Sequence, residues 1–300
     1  MTLPTSTLGR TGTTVSKLGF GAMELRNPRL DAREVDHLLN TILDAGINII
    51  DTAPDYGASE ESIGRAISHR RDEYFLATKC GCPIGEAVGE SGPEVREHTF
   101  TRENIRAAVE QSLRRMRTDH LDVVQFHASP APATLAENDA VAELMAQRER
   151  GKVRFIGMSG ILPHLPDQIA MGVFDTFQIP YSAAERDHET AISDAARAGA
   201  GTIIRGGVAR GLPNPADYPE SWRETMRARN QRFEQTDISD LLGSMTPMEF
   251  LLRFTISHPD LHTEIVGTKN LDHLAANIAA ASHGPLPADV YAEAKARYRW

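Results

Sequence analysis

Cysteine is scarce: the 300 residues hold two, Cys80 and Cys82. One Cys-Gly-Cys step makes no disulfide framework. A structural zinc wants four ligands, and no second cysteine pair exists to complete such a set, so no metal is expected. Both thiols are expected to stay reduced. Lys79 adjoins Cys80, and a nearby cation lowers a thiol pKa, so oxidation there could affect activity. Long apolar runs are also missing. No stretch approaches the roughly 20 residues of a membrane helix, and Met1 to Arg10 has no basic segment followed by an apolar core, so no secretory signal is expected. A cytoplasmic soluble protein follows as the simplest expectation. Basic charge is in the minority, with 32 Lys and Arg against 41 Asp and Glu and a formal net charge of −9. That argues against nonspecific nucleic-acid or membrane partners and leaves room for a local basic pocket. Low-complexity tracts and linkers are absent, so residues 1–300 are expected to form a single domain.

What is present is a long alternation. Val35, Leu38, Leu39, Ile42 and Leu43 form one apolar stripe on a helix from Asp31 to Ala45, which Gly46 stops. The apolar run Ile47 to Ile50 follows as a strand. A helix from Ser59, read as its N-cap, to Ser68 leads to a strand from Tyr74 to Lys79. Thr101 is a good N-cap for a helix to Arg117, followed by a strand from Leu121 to His127. Further strands are expected at Val153–Met158, Asp175–Pro180, Thr202–Arg205 and Thr263–Gly267. Helices are expected from about Glu137 to Gly151, and at Leu165–Met171, His188–Ala198, Pro247–Ser257 and Leu271–Ala281. With Val15–Gly21 as the first strand, eight strands each precede a helix. Runs without alternating polarity suit parallel strands buried on both faces. Eight repeats favour a closed (β/α)₈ TIM barrel over an open sheet. Two segments break the rhythm, Gly81 to His98 and Gly206 to Met245, the latter with Tyr218, Trp222 and Phe233. Both follow strands and are expected to serve as substrate lids over the catalytic face.

Three strands end on titratable residues. Asp51 closes one, Lys79 another and His127 a third, and Tyr56 follows Asp51 in the turn Asp55-Tyr56-Gly57. In a parallel barrel these ends share the face where chemistry is done. Taken singly, each has a plain structural explanation, as turn residue, packed aromatic, solvated cation or core histidine; together they suggest a site. No histidine pair or carboxylate cluster shows ligand spacing at the strand ends, which sets a metal-dependent hydrolase aside.

The string Asp51-Thr52-Ala53-Pro54-Asp55-Tyr56-Gly57-Ala58-Ser59-Glu60 resembles the signature of the aldo-keto reductases. Ala77-Thr78-Lys79, His127 after Phe126, Gly157-Met158-Ser159, Gln178 with Tyr181, Ala209-Arg210-Gly211-Leu212 and Ile265-Val266-Gly267-Thr268-Lys269 extend it over nearly the whole chain. The resemblance implies a (β/α)₈ barrel that reduces a small-molecule carbonyl with NADPH, as a monomer or a homo-oligomer. It implies a tetrad: Tyr56 as proton donor, Lys79 lowering its pKa, Asp51 holding Lys79, and His127 orienting the carbonyl.

The resemblance also carries cofactor contacts. Gly21, Ala22 and Met23 would approach the nicotinamide ribose, and Met23 would line the substrate pocket. Ser159, Gly160, Gln178 and Asp51 lie around the carboxamide position, with Gly160 where asparagine is usual. Arg205 stands where many relatives carry a stacking tyrosine; its planar guanidinium could stack likewise, or reach a diphosphate or an anionic substrate. Gly207 and Arg210 follow in the same stretch. Gly267, Thr268 and Lys269 precede a helix whose N-terminus would favour phosphate, with Lys269 on the 2′-phosphate, His273 nearby and Asn277 on the adenine. Asn270 replaces a second basic residue common here, which makes NADH an alternative. A non-catalytic reading is a cofactor-binding regulatory subunit; another is an NAD(P)⁺-dependent dehydrogenase.

Overall fold

The computed structural model describes residues 2–27, 29–85, 97–208 and 220–297. Arg210, Tyr218, most of the 81–98 segment and the terminal Tyr298-Arg299-Trp300 lie outside them. Eight parallel strands close into a barrel: β3 (Leu18–Gly21), β4 (Ile49–Asp51), β5 (Phe75–Cys80), β6 (Leu121–Phe126), β7 (Val153–Ser159), β8 (Thr176–Pro180), β9 (Gly201–Arg205) and β10 (Thr263–Val266). They pair in chain order, and β10 pairs with both β9 and β3 to close the ring. Helices α1 (Ala32–Asp44), α2 (Ser59–Ile67), α3 (Arg102–Met116), α4 (Pro132–Glu137), α5 (Ala140–Glu149), α6 (Leu165–Ala170) and α7 (Glu189–Arg197) lie between strands. Beyond β9 come α8 (Glu220–Gln235), α9 (Ser239–Leu242) and α10 (Pro247–Ile256), and beyond β10 come α11 (Leu271–Ser282) and α12 (Ala288–Arg297).

Successive strand residues face opposite sides, and that parity sorts the core. Ile49, Phe75, Ala77, Val123, Ile203 and Ile265 pack together inside the barrel. Their neighbours Ile50, Leu76, Val124, Ile156 and Ile204 join the larger core beneath the helices.

The expected first strand is in fact two. Thr14–Ser16 is β2, paired antiparallel with β1 (Thr5–Thr7), and only Leu18–Gly21 enters the barrel. The hairpin sits at the N-terminal ends of the barrel strands. Leu8, fully buried, joins the interior cluster there, and Arg10 donates to carbonyls of Ala198, Gly199 and Gly172. The hairpin thus closes the bottom of the barrel.

Other differences are local. The helix expected from about 137 to 151 is α5, which starts at Ala140 after Asp139 in a left-handed conformation, and a further short helix, α4, precedes it at Pro132–Glu137. The segment 206–245 contains two helices, α8 and α9, that the expected alternation does not include. Ser59 is not an N-cap. Ala58 holds that position, and the Ser59 hydroxyl instead donates to the Ala22 carbonyl at 2.9 Å. Thr101 does cap α3, accepting from the Asn104 N–H.

Candidate active site

The parity that builds the core also aims the polar strand ends. Asp51 shares a face with Ile49, Lys79 with Phe75 and Ala77, and Gln125 with Val123; all point into the upper barrel. Lys79, 1% exposed, donates to Asp51 Oδ2 and to the Thr52 carbonyl, both at 2.8 Å. The other oxygen, Asp51 Oδ1, accepts from Gln125 Nε2 at 3.0 Å and Gln178 Nε2 at 2.8 Å. A buried ion pair needs such additional hydrogen bonds to offset its desolvation. Lys79 Nζ also lies 4.8 Å from the centre of the Tyr56 ring, within cation–π range. The His127 ring meets Tyr56 edge-on at 6.1 Å. Asp51, Tyr56, Lys79 and His127 therefore gather at the C-terminal mouth.

The turn that presents Tyr56 is anchored from below. Glu60 on α2 is fully buried and accepts from Thr78 Oγ1 at 2.9 Å, Ser112 Oγ at 2.7 Å and Arg115 at 3.3 Å. Arg115 also donates to the Pro54 carbonyl. Gly57 has a φ of +51°, and a Cβ there would stand 2.1 Å from the Arg26 carbonyl oxygen.

Electrostatics departs from the expectation at Tyr56. Burial raises its pKa more than the nearby Lys79 charge lowers it, so the phenol lies above its ordinary value. Arg205 also pulls it down, while Asp51 and Asp55 push it up. For Lys79, burial works downward, but the charges of Asp51 and Tyr56 outweigh it and the pKa is raised. His127 is held below its ordinary value by burial, against the pull of Asp55. Burial raises the Asp55 carboxyl, yet hydrogen bonds with His127 and His98 prevail and lower it. Cys80 is also contrary to expectation. It faces away from Lys79 across the strand, and burial drives its thiol pKa up.

The described residues among those carried over as cofactor contacts stand on or just beyond β3, β4, β7, β8, β9 and β10, with His273 and Asn277 on α11. Ser159 Oγ approaches Gln178 Oε1 at 3.4 Å, next to Asp51. At Gly160 a side chain has little space, because a Cβ would be 2.6 Å from Leu165 Cδ1 and 2.7 Å from Gln168 Oε1. Gln168 fills that position from α6 and donates to Ser129 and to the Pro130 carbonyl. Gly21 and Gly267 bring β3 and β10 together, and a Cβ on Gly267 would be 2.7 Å from the Gly21 oxygen. Ala22 is buried and Met23 half-buried in the turn after β3. Arg205 ends β9. Gly207 leaves no room for a side chain, since its Cβ would meet Glu264 Oε1 at 1.9 Å. Thr268 is buried, Lys269 before α11 and His273 in its first turn are exposed, and Asn277 is half-buried midway along α11. Asn270 is the N-cap of α11, its Oδ1 accepting from the Asp272 and His273 N–H groups. The narrow glycine approach, amide groups at one end and an exposed lysine at a helix start at the other fit an elongated dinucleotide.

The residues 17–299 match the model of the aldo/keto reductase family. The chain belongs to the aldo/keto reductase family. It is an oxidoreductase of that family, whose members generally use NAD(P)H. The aldo-keto reductase YhdN of Bacillus subtilis is 29% identical over 272 residues, covering 87% of this chain and 79% of that protein. The NADH-specific methylglyoxal reductase of Escherichia coli is 26% identical over 300 residues, covering 91% of this chain and 92% of that one. A solved aldo-keto reductase from Bacillus halodurans, in its holo form, superposes with a TM-score of 0.82 at 25% identity, over 99% of this chain and 97% of that one.

The sequence reading missed Gln125, Glu60 and a group beside His127. Gln125 and Glu60 had a findable signal, since a polar residue inside an apolar strand and an acid that parity and periodicity turn inward both demand partners. The group beside His127 falls outside the expectation, which concerns ligand spacing along the sequence at the strand ends. Asp55, Cys82, His98 and His127 place their potential ligand atoms within 4.8 Å of one another. They come from loops after three successive strands, so their sequence spacing carries no local pattern.

Proposed function

We propose that this chain reduces the carbonyl of a small aldehyde or ketone to an alcohol with NADPH, Tyr56 giving the proton. The observation that carries this reading is the buried Lys79–Asp51 pair beneath the Tyr56 ring, with His127 across the mouth. When bound, the nicotinamide supplies the hydride to the carbonyl carbon. Tyr56, raised above its ordinary pKa, is a neutral phenol near pH 7 and holds the proton needed at the carbonyl oxygen. The Lys79 charge offsets part of the negative charge that appears on the phenolate as that proton leaves. Asp51, held by two glutamine amides, keeps Lys79 in place. His127 donates to the carbonyl oxygen and orients it. Ser159 and Gln178 would hold the carboxamide, Gly21 and Gly267 would admit the ribose and diphosphate, and Arg205 offers a flat cation to the nicotinamide or an anionic substrate.

Lys269 is the proposed partner of the 2′-phosphate. NADH remains an alternative because Asn270 is spent capping α11, and one relative is an NADH-specific reductase by name. Oxidation of an alcohol is supported by another relative, the L-galactose dehydrogenase of Arabidopsis thaliana, 25% identical over 291 residues and covering 92% of this chain and 87% of that one.

The test is NADPH oxidation with a panel of aldehydes and ketones. Tyr56→Phe should keep NADPH binding and lose about 10²–10⁴ in turnover, the usual worth of a positioned proton donor. Tight NADPH binding without turnover of any carbonyl, in either direction, would favour the regulatory-subunit reading. Lys269→Ala should reduce the NADPH-to-NADH preference in kcat/KM by about tenfold, equivalent to about 1.4 kcal/mol; an unchanged ratio would remove Lys269 from the phosphate site.

A further inference from the structure

We propose that Asp55, Cys82, His98 and His127 form a zinc-binding site at the barrel mouth, with His127 shared between the ion and the carbonyl site.

The donor atoms already stand near the corners of one coordination shell. His127 Nδ1 lies 3.2 Å from His98 Nε2, 3.3 Å from Cys82 Sγ and 3.4 Å from Asp55 Oδ2. His98 Nε2 lies 3.6 Å from the same Asp55 oxygen. A tetrahedral zinc with Zn–N of about 2.0–2.1 Å and Zn–S of about 2.3 Å sets ligand-to-ligand edges of roughly 3.3–3.6 Å. These four of the six edges fall on that range or within about 0.1 Å of it, and the remaining two, from Cys82 Sγ to His98 and to Asp55, lie within 4.8 Å, so the thiol must move inward to close the shell. Two imidazoles, one thiolate and one carboxylate suit a borderline-soft ion such as Zn²⁺. Calcium and magnesium call for shells built of oxygen.

Hydrogen bonding alone leaves the group under-satisfied. His127 Nδ1 faces His98 Nε2, Cys82 Sγ and Asp55 Oδ2 within 3.4 Å, and one ring nitrogen makes a single in-line hydrogen bond to one of the three. Asp55 Oδ1 is buried without a hydrogen-bond partner. An ion drawing on Asp55, Cys82 and both histidines removes the first conflict, because each ring nitrogen then donates its lone pair to the metal.

The surroundings hold the ligands in place. The Thr99 N–H donates to the Gly81 carbonyl at 2.8 Å, and the His127 N–H to the Cys80 carbonyl at 3.0 Å. Asn104 donates to the Cys82 carbonyl at 3.2 Å. The His98 ring stacks on Phe100 and meets His127 edge-on. Asp55, His98 and His127 are each only partly buried, which leaves the ion a path from the mouth.

Binding of the ion depends on these four side chains alone; its effect on turnover rests on the reductase reading. With Nδ1 on zinc, the proton of His127 stays on Nε2, which becomes a fixed donor. Zinc would then also tie the loops after β4, β5 and β6 to one another.

The experiment is titration of chelator-treated full-length protein with Zn²⁺ by calorimetry, without cofactor or substrate. One equivalent should bind, and His98→Gln and Cys82→Ser should each weaken binding by tenfold or more. Loading with Co²⁺ should give a thiolate-to-cobalt charge-transfer band in the near ultraviolet that Cys82→Ser abolishes. His98 is partly exposed, so His98→Gln reports on binding with little risk to folding, and circular dichroism checks it. Zinc affinity unchanged in both variants, or a cobalt spectrum lacking the thiolate band in the unaltered protein, would overturn the site. Because no step of this test uses turnover, its failure is separate from failure of the reductase assignment.

Discussion

Asp51 accepts hydrogen bonds from three buried donors, Lys79, Gln125 and Gln178. The charge of Lys79 has no other carboxylate at hydrogen-bond distance among the described residues, so the pair stands or falls together. Lys79→Met should destabilise the fold by about 3–5 kcal/mol, the usual cost of leaving one buried charge uncompensated. Adding Asp51→Asn should recover part of that loss, because the two substitutions are coupled. Urea denaturation of the single and double variants measures both; additive losses would show that the pair is not coupled. The four tetrad residues were legible because each strand end or turn closes an apolar run. The direction of the Tyr56 pKa was not. Sequence names the neighbouring cation, but the depth of burial that outweighs it depends on residues from distant strands.

At the scale of elements, the turn between β4 and α2 carries the phenol and tolerates little change. Gly57 combines a left-handed conformation with a backbone oxygen where a side chain would begin. Gly57→Ala should cost about 1–3 kcal/mol, in the range of a strained non-glycine conformation, and should lower turnover more than NADPH affinity because the displaced residue is Tyr56. Thermal melts and steady-state kinetics check it; a variant equal to the parent in both would mean that the turn relaxes freely. The alternation of strands and helices was readable because buried parallel strands are unbroken apolar runs and the helices between them are amphipathic. The division of Val15–Gly21 was not, since Val15, Ser16, Leu18 and Phe20 are all buried and only half-buried Lys17 marks the step from hairpin to barrel. α8 and α12 were missed for a related reason. Their sequences are polar, with little apolar periodicity to announce a helix. The unusual Gly160 and Asn270 also resolve at this scale, as space filled by Gln168 of α6 and as the cap of α11.

Over the whole molecule, the barrel also carries a buried acid, Glu264, that the proposed chemistry does not use and that, unlike Glu60, has no hydrogen-bond donor beside it among the described residues. Glu264 faces outward from β10 beneath Gly207; both its carboxyl oxygens are buried without a hydrogen-bond partner, and burial pushes its pKa well above the usual range. A raised carboxyl pKa contributes stability that is complete below the unfolded value of about 4.3 and is lost as pH rises through the folded value. Glu264→Gln should therefore gain stability over the parent at pH 8 relative to pH 4.5, and melting curves at the two pH values compare them. An equal difference at both would show that the carboxyl finds partners on ionising. Lys79 has the opposite charge but the same sign of shift. Its contribution is complete below the unfolded lysine value of about 10.4 and fades as pH climbs through the higher folded value.

The hairpin of β1 and β2 closes the end of the barrel opposite the catalytic mouth. A surface, a carrier domain or a second enzyme coupled ahead of Thr5 would therefore hold the molecule with its mouth turned outward. An immobilised enzyme tethered in this way should keep its substrate access, whereas coupling through the exposed Lys269 would cover the side where the proposed cofactor enters.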